Sequence, residues 1–171
     1  MTQGTYKRSP SIENRIPKSS FLNKKYWAVD PDNYTSIDTS SVRLLKLAFF
    51  SGDQYVKING TLSVAGSDTL NVDFTKVDIS RLDEFIGSTQ VDVDGILSGN
   101  IKLTKPYTNV TVLSDLRISK FKINKELLGD ANLKVKFDAE TSRFDVDSQI
   151  LYTGNAGTNI PFSLTGSYFQ N

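Results

Sequence analysis

The chain has no histidine and no cysteine among its 171 residues, and only one methionine and one tryptophan. Without histidine, the commonest general base and the commonest metal ligand are missing, and a Ser-His-Asp triad is impossible. Without cysteine there is no disulfide framework, no thiolate nucleophile and no Cys-based metal site. Nor is there an excess of one charge: twenty basic residues stand against nineteen acidic ones, for a net charge of +1. The two signs are interleaved, so the concentrated basic stripe that grips nucleic acid is absent. Long apolar runs are missing as well. The longest, Leu44 to Phe50, includes Lys46 and falls far short of the roughly 18 residues of a membrane-spanning helix.

What the sequence does have is apolar residues at every second position. Val56, Ile58, Leu62 and Val64 share one parity, and Val91, Val93, Leu97, Ile101 and Leu103 share another. The pattern returns in Ala131, Leu133, Val135 and Phe137, and again in Ile160, Phe162, Leu164 and Tyr168. Period-two alternation puts one set of side chains on a single face of a β-strand. Frequent Thr, Val, Ile, Tyr and Phe favour strands over helices. Gly60, Gly95, Gly129 and Gly166 fall on the apolar parities, 35, 34 and 37 residues apart. That spacing suggests stacked units of similar build.

Residues 1–25 are polar and basic, with Pro10 and Pro17 and no apolar core of a signal peptide. We expect a flexible leader or an artificially cut end there, and one domain over residues 26–171. A short strand, Lys25-Tyr-Trp-Ala-Val, is halted by Asp30-Pro31-Asp32-Asn33, a strong turn signal. Three strands then follow as a meander, with Leu45, Leu47 and Phe49 expected on one face of the first. Ser80 to Ile86 is the one helix candidate: Ser80 is a suitable N-cap, and Leu82, Phe85 and Ile86 form an apolar stripe. Two strands later the parity slips between Ile118 and Phe121, which predicts a bulge. Pro161 on the polar parity of the final strand favours an edge position.

Only carboxylates, Lys, Tyr and hydroxyls are left for chemistry. Asp30/Asp32, Asp92/Asp94 and Asp145/Asp147 are spaced i, i+2, so the members of each pair share a strand face. A hydrolase would use such acids as a converging pair. Their simpler place is the solvated side opposite Val91 and Val93, or Phe144 and Val146. Lys102, Lys134 and Lys136 fit the same wet side. For the apolar side two readings stand open. One is a closed β-sandwich core, suited to a surface or adhesion module that binds protein or glycan. The other is an open trough, which tolerates glycines on the inward parity and buries acyl methylenes at about 0.8 kcal/mol each.

Four stretches carry a family likeness. Gly60-Thr-Leu-Ser, Val93-Asp-Gly-Ile-Leu-Ser-Gly-Asn-Ile-Lys-Leu, Leu128-Gly-Asp-Ala-Asn-Leu and Ile160-Pro-Phe-Ser-Leu-Thr-Gly-Ser-Tyr resemble TamB-like proteins of the AsmA-like superfamily. The flavour is that of Bacteroidetes members, in which a Trp segment like Tyr26-Trp27 precedes a strand like Gln54 to Gly60. The likeness covers about residues 26 to 169. It implies a periplasmic β-taco, an elongated antiparallel sheet curled into a groove with an apolar interior. Such proteins belong to the translocation and assembly module. They are implicated in phospholipid transport toward the outer membrane and in outer-membrane protein assembly with the barrel partner TamA. Full-length members have an inner-membrane anchor and a barrel-docking domain; neither is recognisable here, so the chain resembles an internal section. The expected function is therefore non-enzymatic and needs no cofactor or metal. Its groove would hold phospholipid acyl chains on Val91, Val93, Leu97 and Ile101, on Leu133, Val135 and Phe137, and on Val146, Ile150, Phe162 and Leu164.

Overall fold

The computed structural model describes residues 12–14, 19–22, 25–64, 68–80, 92–105, 109–155 and 157–169, with side chains from residue 27 onward. All regular structure among them is strand. In chain order the strands are β1 (Ile12–Asn14), β2 (Ser19–Leu22), β3 (Lys25–Val29), β4 (Tyr34–Ile37), β5 (Ser41–Ser51) and β6 (Gln54–Ser63), followed by β7 (Thr69–Asp78), β8 (Val93–Thr104), β9 (Thr111–Ile123), β10 (Glu126–Asp138), β11 (Arg143–Gly154) and β12 (Gly157–Phe169). They form one antiparallel sheet in the order β1-β4-β5-β6-β7-β8-β9-β10-β11-β12, which does not close into a barrel. β2 and β3 form a hairpin beside this path, and β3 pairs with β5. The all-β, open antiparallel architecture is the one expected. β1 and β2 fall within residues 1–25, where a flexible leader was expected. The predicted helix lies outside the described residues except for Ser80, whose N–H donates to Asp78 Oδ1 (3.0 Å).

From β5 to β12 the sheet is a plain meander in which neighbours in sequence pair, through short connections everywhere except the longer one between β7 and β8. Asn124 and Lys125 join β9 to β10 with φ of 49° and 71°, the left-handed pair that matches the twist of a two-residue hairpin. At the other end, β5 shares one edge between two partners: Ala28 and Val29 of β3 lie beside Phe50 and Phe49, and β4 runs beside residues 42–45. Asn33 between them is fully buried, with its side-chain amide on Asp30 O (2.6 Å). Farther along, Asp38 accepts from the N–H and hydroxyl groups of Ser40 and Ser41, which holds its carboxyl down at about 2.

Three hairpins carry the same irregularity. Where β5 meets β6, β7 meets β8 and β9 meets β10, the first strand holds one extra residue, and a lysine beside it has positive φ: Lys46 (52°), Lys76 (51°) and Lys120 (54°). A polar side chain on the facing strand takes up each displaced N–H. Lys46 donates to Asn59 Oδ1 (3.4 Å), Lys76 to Ser98 Oγ (3.0 Å) and Lys120 to Asp130 Oδ1 (3.0 Å). Beside each acceptor sits a glycine of positive φ: Gly60, Gly99 and Gly129. Bulges of this kind bend the strand and steepen its twist. The slip foreseen between Ile118 and Phe121 is the third of them. The first corrects an expectation. The extra residue at Lys46 breaks the parity, so Leu45 is 38% exposed while Leu47 is 5% exposed.

Asp130 shows how such a bulge is held. Besides the Lys120 N–H it takes Arg117 Nη2 at 2.7 Å. Arg117 first, and then the Lys120 N–H, keep its carboxyl below the ordinary 3.8. A carboxyl depressed in the folded state adds stability above the unfolded value of about 3.9, and this is lost as pH falls through the folded value. Replacing Asp130 by Asn should thus lower stability at pH 7 by about 1 kcal/mol, since Arg117 loses a charged acceptor. The variant and the parent should converge as pH falls through the folded value. Urea midpoints measured from pH 2 to 7 would check this, and a difference independent of pH would refute it.

Candidate functional site

In an antiparallel pair, residues directly opposite each other share a sheet face. The register can therefore be followed across the sheet strand by strand. Phe49, Val56, Phe74, Gly99, Leu116, Leu133, Ser148 and Leu164 form one continuous row. A second row runs Leu47, Ile58, Val72, Ile101, Ser114, Val135, Val146, Gly166. A third begins at Leu44 and Gly60, passes Leu70, Leu103 and Val112, and ends on Phe137, Phe144 and Tyr168. Beyond the bulges a shorter row links Val77, Leu97, Ile118, Ala131, Ile150 and Phe162. At about 4.8 Å per strand, the rows from β5 to β12 are about 34 Å long.

This face is apolar apart from Ser114 and Ser148. Only Leu47, Ala131 and Ile150 in these rows are buried apolar side chains; the other apolar residues are half-buried or exposed. Strands make substantial contacts only with their hydrogen-bonded neighbours. The described strands form one sheet, not the two packed sheets of the sandwich alternative. Phe137 and Phe144 stack at one end of the face, with ring centroids 4.3 Å apart, and Tyr168 extends the aromatic group at 6.4 Å from Phe144.

Of the groove residues expected from sequence, Leu97, Ile101, Leu133, Val135, Phe137, Val146, Ile150, Phe162 and Leu164 all stand in these rows. Val93 pairs with Ile123 at the far end of β8, on the same parity as Leu97. Val91 lies outside the described residues. The expected set was too small. Val56, Ile58, Val72 and Phe74 carry the face through β6 and β7, and Val112, Leu116 and Ile118 carry it through β9. The same alternation marks them in the sequence.

The opposite face is a ladder of charges. Lys57, Asp73, Asn100, Asp115, Lys134, Asp147 and Thr165 are successive partners across seven strands. Lys134 Nζ is 3.8 Å from Asp115, and Lys122 Nζ is 3.9 Å from Asp94. Asp145 accepts from Ser167 Oγ (2.6 Å) and Arg143 Nε (2.6 Å), which lower its carboxyl below 3.8 in that order. Each of Asp94, Asp145 and Asp147 thus faces a base or a hydroxyl across the strands rather than a second acid across a cleft. A depression of about 440 Å³ lies here, lined by Lys134, Lys136, Asp145, Asp147, Thr165 and Ser167 and floored by the backbone at Val135, Val146 and Gly166. It lies between two rows of side chains on the charged face. Among the described residues no three His, Cys, Asp or Glu side chains cluster as metal ligands, and no helix is long and apolar enough to cross a membrane. No family model, curated protein or solved structure matches the chain.

Proposed function

We propose that the chain is a β-groove segment of a TamB-like envelope protein, and that its apolar face shields phospholipid acyl chains on their way between inner and outer membrane. The role is non-enzymatic, the compartment is the periplasm, and the whole protein works with an outer-membrane barrel of the TamA type and assists outer-membrane protein assembly. The single observation behind the proposal is the set of four apolar rows, three of them about 34 Å long, lying on one sheet that no other described strand packs over. A face of that extent is unusual on a monomer that binds nothing. It is apolar apart from Ser114 and Ser148, so it offers a chain of methylenes burial along most of its path across the strands. The charged ladder on the other side keeps the sheet soluble and leaves only one face for the guest.

Photocrosslinkers placed at Leu133 or Val135, against Lys102 or Lys134, test this directly. Mass spectrometry of gently purified protein should find lipid adducts several-fold more abundant at the first pair. Equal yields on the two faces would overturn the proposal.

A further inference from the structure

We infer that the depression on the charged face binds a phosphoethanolamine group, with its phosphate over β10 and its ammonium over β11. The depression is sorted by strand. β10 supplies two cations, Lys134 and Lys136, and β11 supplies two anions, Asp145 and Asp147. The members of each couple are spaced i, i+2, so they share a face and stand about 7 Å apart, one on either wall. Register keeps the walls aligned, because Lys136 lies opposite Asp145 and Lys134 opposite Asp147. This doubling of like charge is local. The corresponding couples on β6 to β9 are Asn59 with Lys57, Asn71 with Asp73, Lys102 with Asn100, and Leu113 with Asp115. Each of those holds a single charge.

The four charges are not spent on one another. Lys136 enters no ion pair among the described residues, and Lys134 Nζ reaches Asp115 only at 3.8 Å, beyond hydrogen-bond distance. Asp145 Oδ1 accepts from Ser167 Oγ and Arg143 Nε, and Asp147 Oδ1 accepts from Thr165 Oγ1 at 3.4 Å. The Oδ2 of each aspartate has no hydrogen bond among the described residues. The chemistry of the guest follows from these positions. Two ammoniums flanking β10 call for one anionic group with oxygens on both sides, which a tetrahedral phosphate has. Two carboxylates flanking β11 call for one ammonium with N–H donors for both. Neighbouring strands lie about 4.8 Å apart, a gap that the two-carbon arm of phosphoethanolamine spans and the single carbon of an α-amino acid does not. A trimethylated nitrogen reaches as far but has no N–H to donate. The site is on the face away from the apolar rows, so the inference stands apart from acyl-chain binding.

Glycerophosphoethanolamine is the soluble probe, titrated at low salt so that exposed charges are least screened. Backbone amide NMR should show shifts at residues 134–136 and 145–147, with β6 unmoved. Lys136→Gln with Asp147→Asn should weaken binding by about tenfold, and glycerophosphocholine and inorganic phosphate should each bind the parent about tenfold more weakly than the probe. Lys57→Gln with Asp73→Asn, a cross-strand pair of the same ladder outside the depression, should change nothing. All four replaced side chains are exposed, so both variants fold. No shift, shifts elsewhere, equal binding of glycerophosphocholine, or full binding by the Lys136→Gln/Asp147→Asn protein would each overturn the inference. Cosedimentation then separates the sources of the group. Several-fold more protein on mixed phosphatidylethanolamine/phosphatidylcholine vesicles than on phosphatidylcholine alone, lost in Lys136→Gln/Asp147→Asn, assigns a lipid headgroup. Binding of the soluble probe without that difference assigns a free one. A crosslinker at Lys134 removes one of the four charges, so that position still serves as an outward control for acyl adducts.

Discussion

Gly99→Ala is expected to destabilise the sheet by about 3 kcal/mol or more, while Gly166→Ala changes stability by less than about 1 kcal/mol. Both glycines stand in the apolar rows and look alike in sequence. Gly99 has φ of 129° and an added Cβ would run into the Asp115 carbonyl oxygen on β9. A side chain there is strained by its own backbone, and relief requires β8 and β9 to part. That in turn dislodges Ser98, whose hydroxyl holds the bulge at Lys76, so the cost spreads to β7. Gly60 is placed the same way against Thr69 O on β7. Gly166 has no positive φ and open space around it. Urea midpoints at neutral pH would rank the two variants, and comparable losses would show that glycine serves one role throughout.

That contrast marks where sequence reading succeeds and where it stops. The strands from β5 to β12, their antiparallel order and most of the apolar face were legible, because alternation is a local pattern and neighbours in sequence tend to pair. The bulge before Phe121 was legible too, since the parity of apolar residues visibly slips. The bulge at Lys46 was hidden: Leu44, Leu45 and Leu47 satisfy either register, and only pairing with β6 decides which of them turns inward. The glycines misled for a related reason. On sequence they suggested room in a trough, yet Gly60, Gly99 and Gly129 are fixed by close backbone approach opposite a bulge, and only Gly166 leaves room. Close approach is a property of two strands, so no window along one strand contains it. The edge between β3 and β4 was likewise out of reach, because sharing β5 between two short partners leaves no period.

Val135→Lys with Val146→Glu should cut lipid adducts to about a tenth of the parent's while leaving the protein folded. The two valines are direct cross-strand partners toward the β12 end of the second row, and both are half-buried. Opposite charges facing each other across a strand pair are mutually favourable, which compensates the sheet for the lost apolar contact. The acyl chain receives no such compensation. To cross this row it would have to desolvate two charges, each costing more than several methylenes return. Placed outward at Asn100, exposed on the charged ladder, a Lys should leave adducts unchanged. Mass spectrometry gives the adduct yield, and circular dichroism with a urea midpoint within about 2 kcal/mol of the parent verifies the fold. Undiminished lipid on a folded Val135→Lys/Val146→Glu protein would mean that guests do not lie along these rows. The apolar face would then serve contact between protein surfaces rather than lipid.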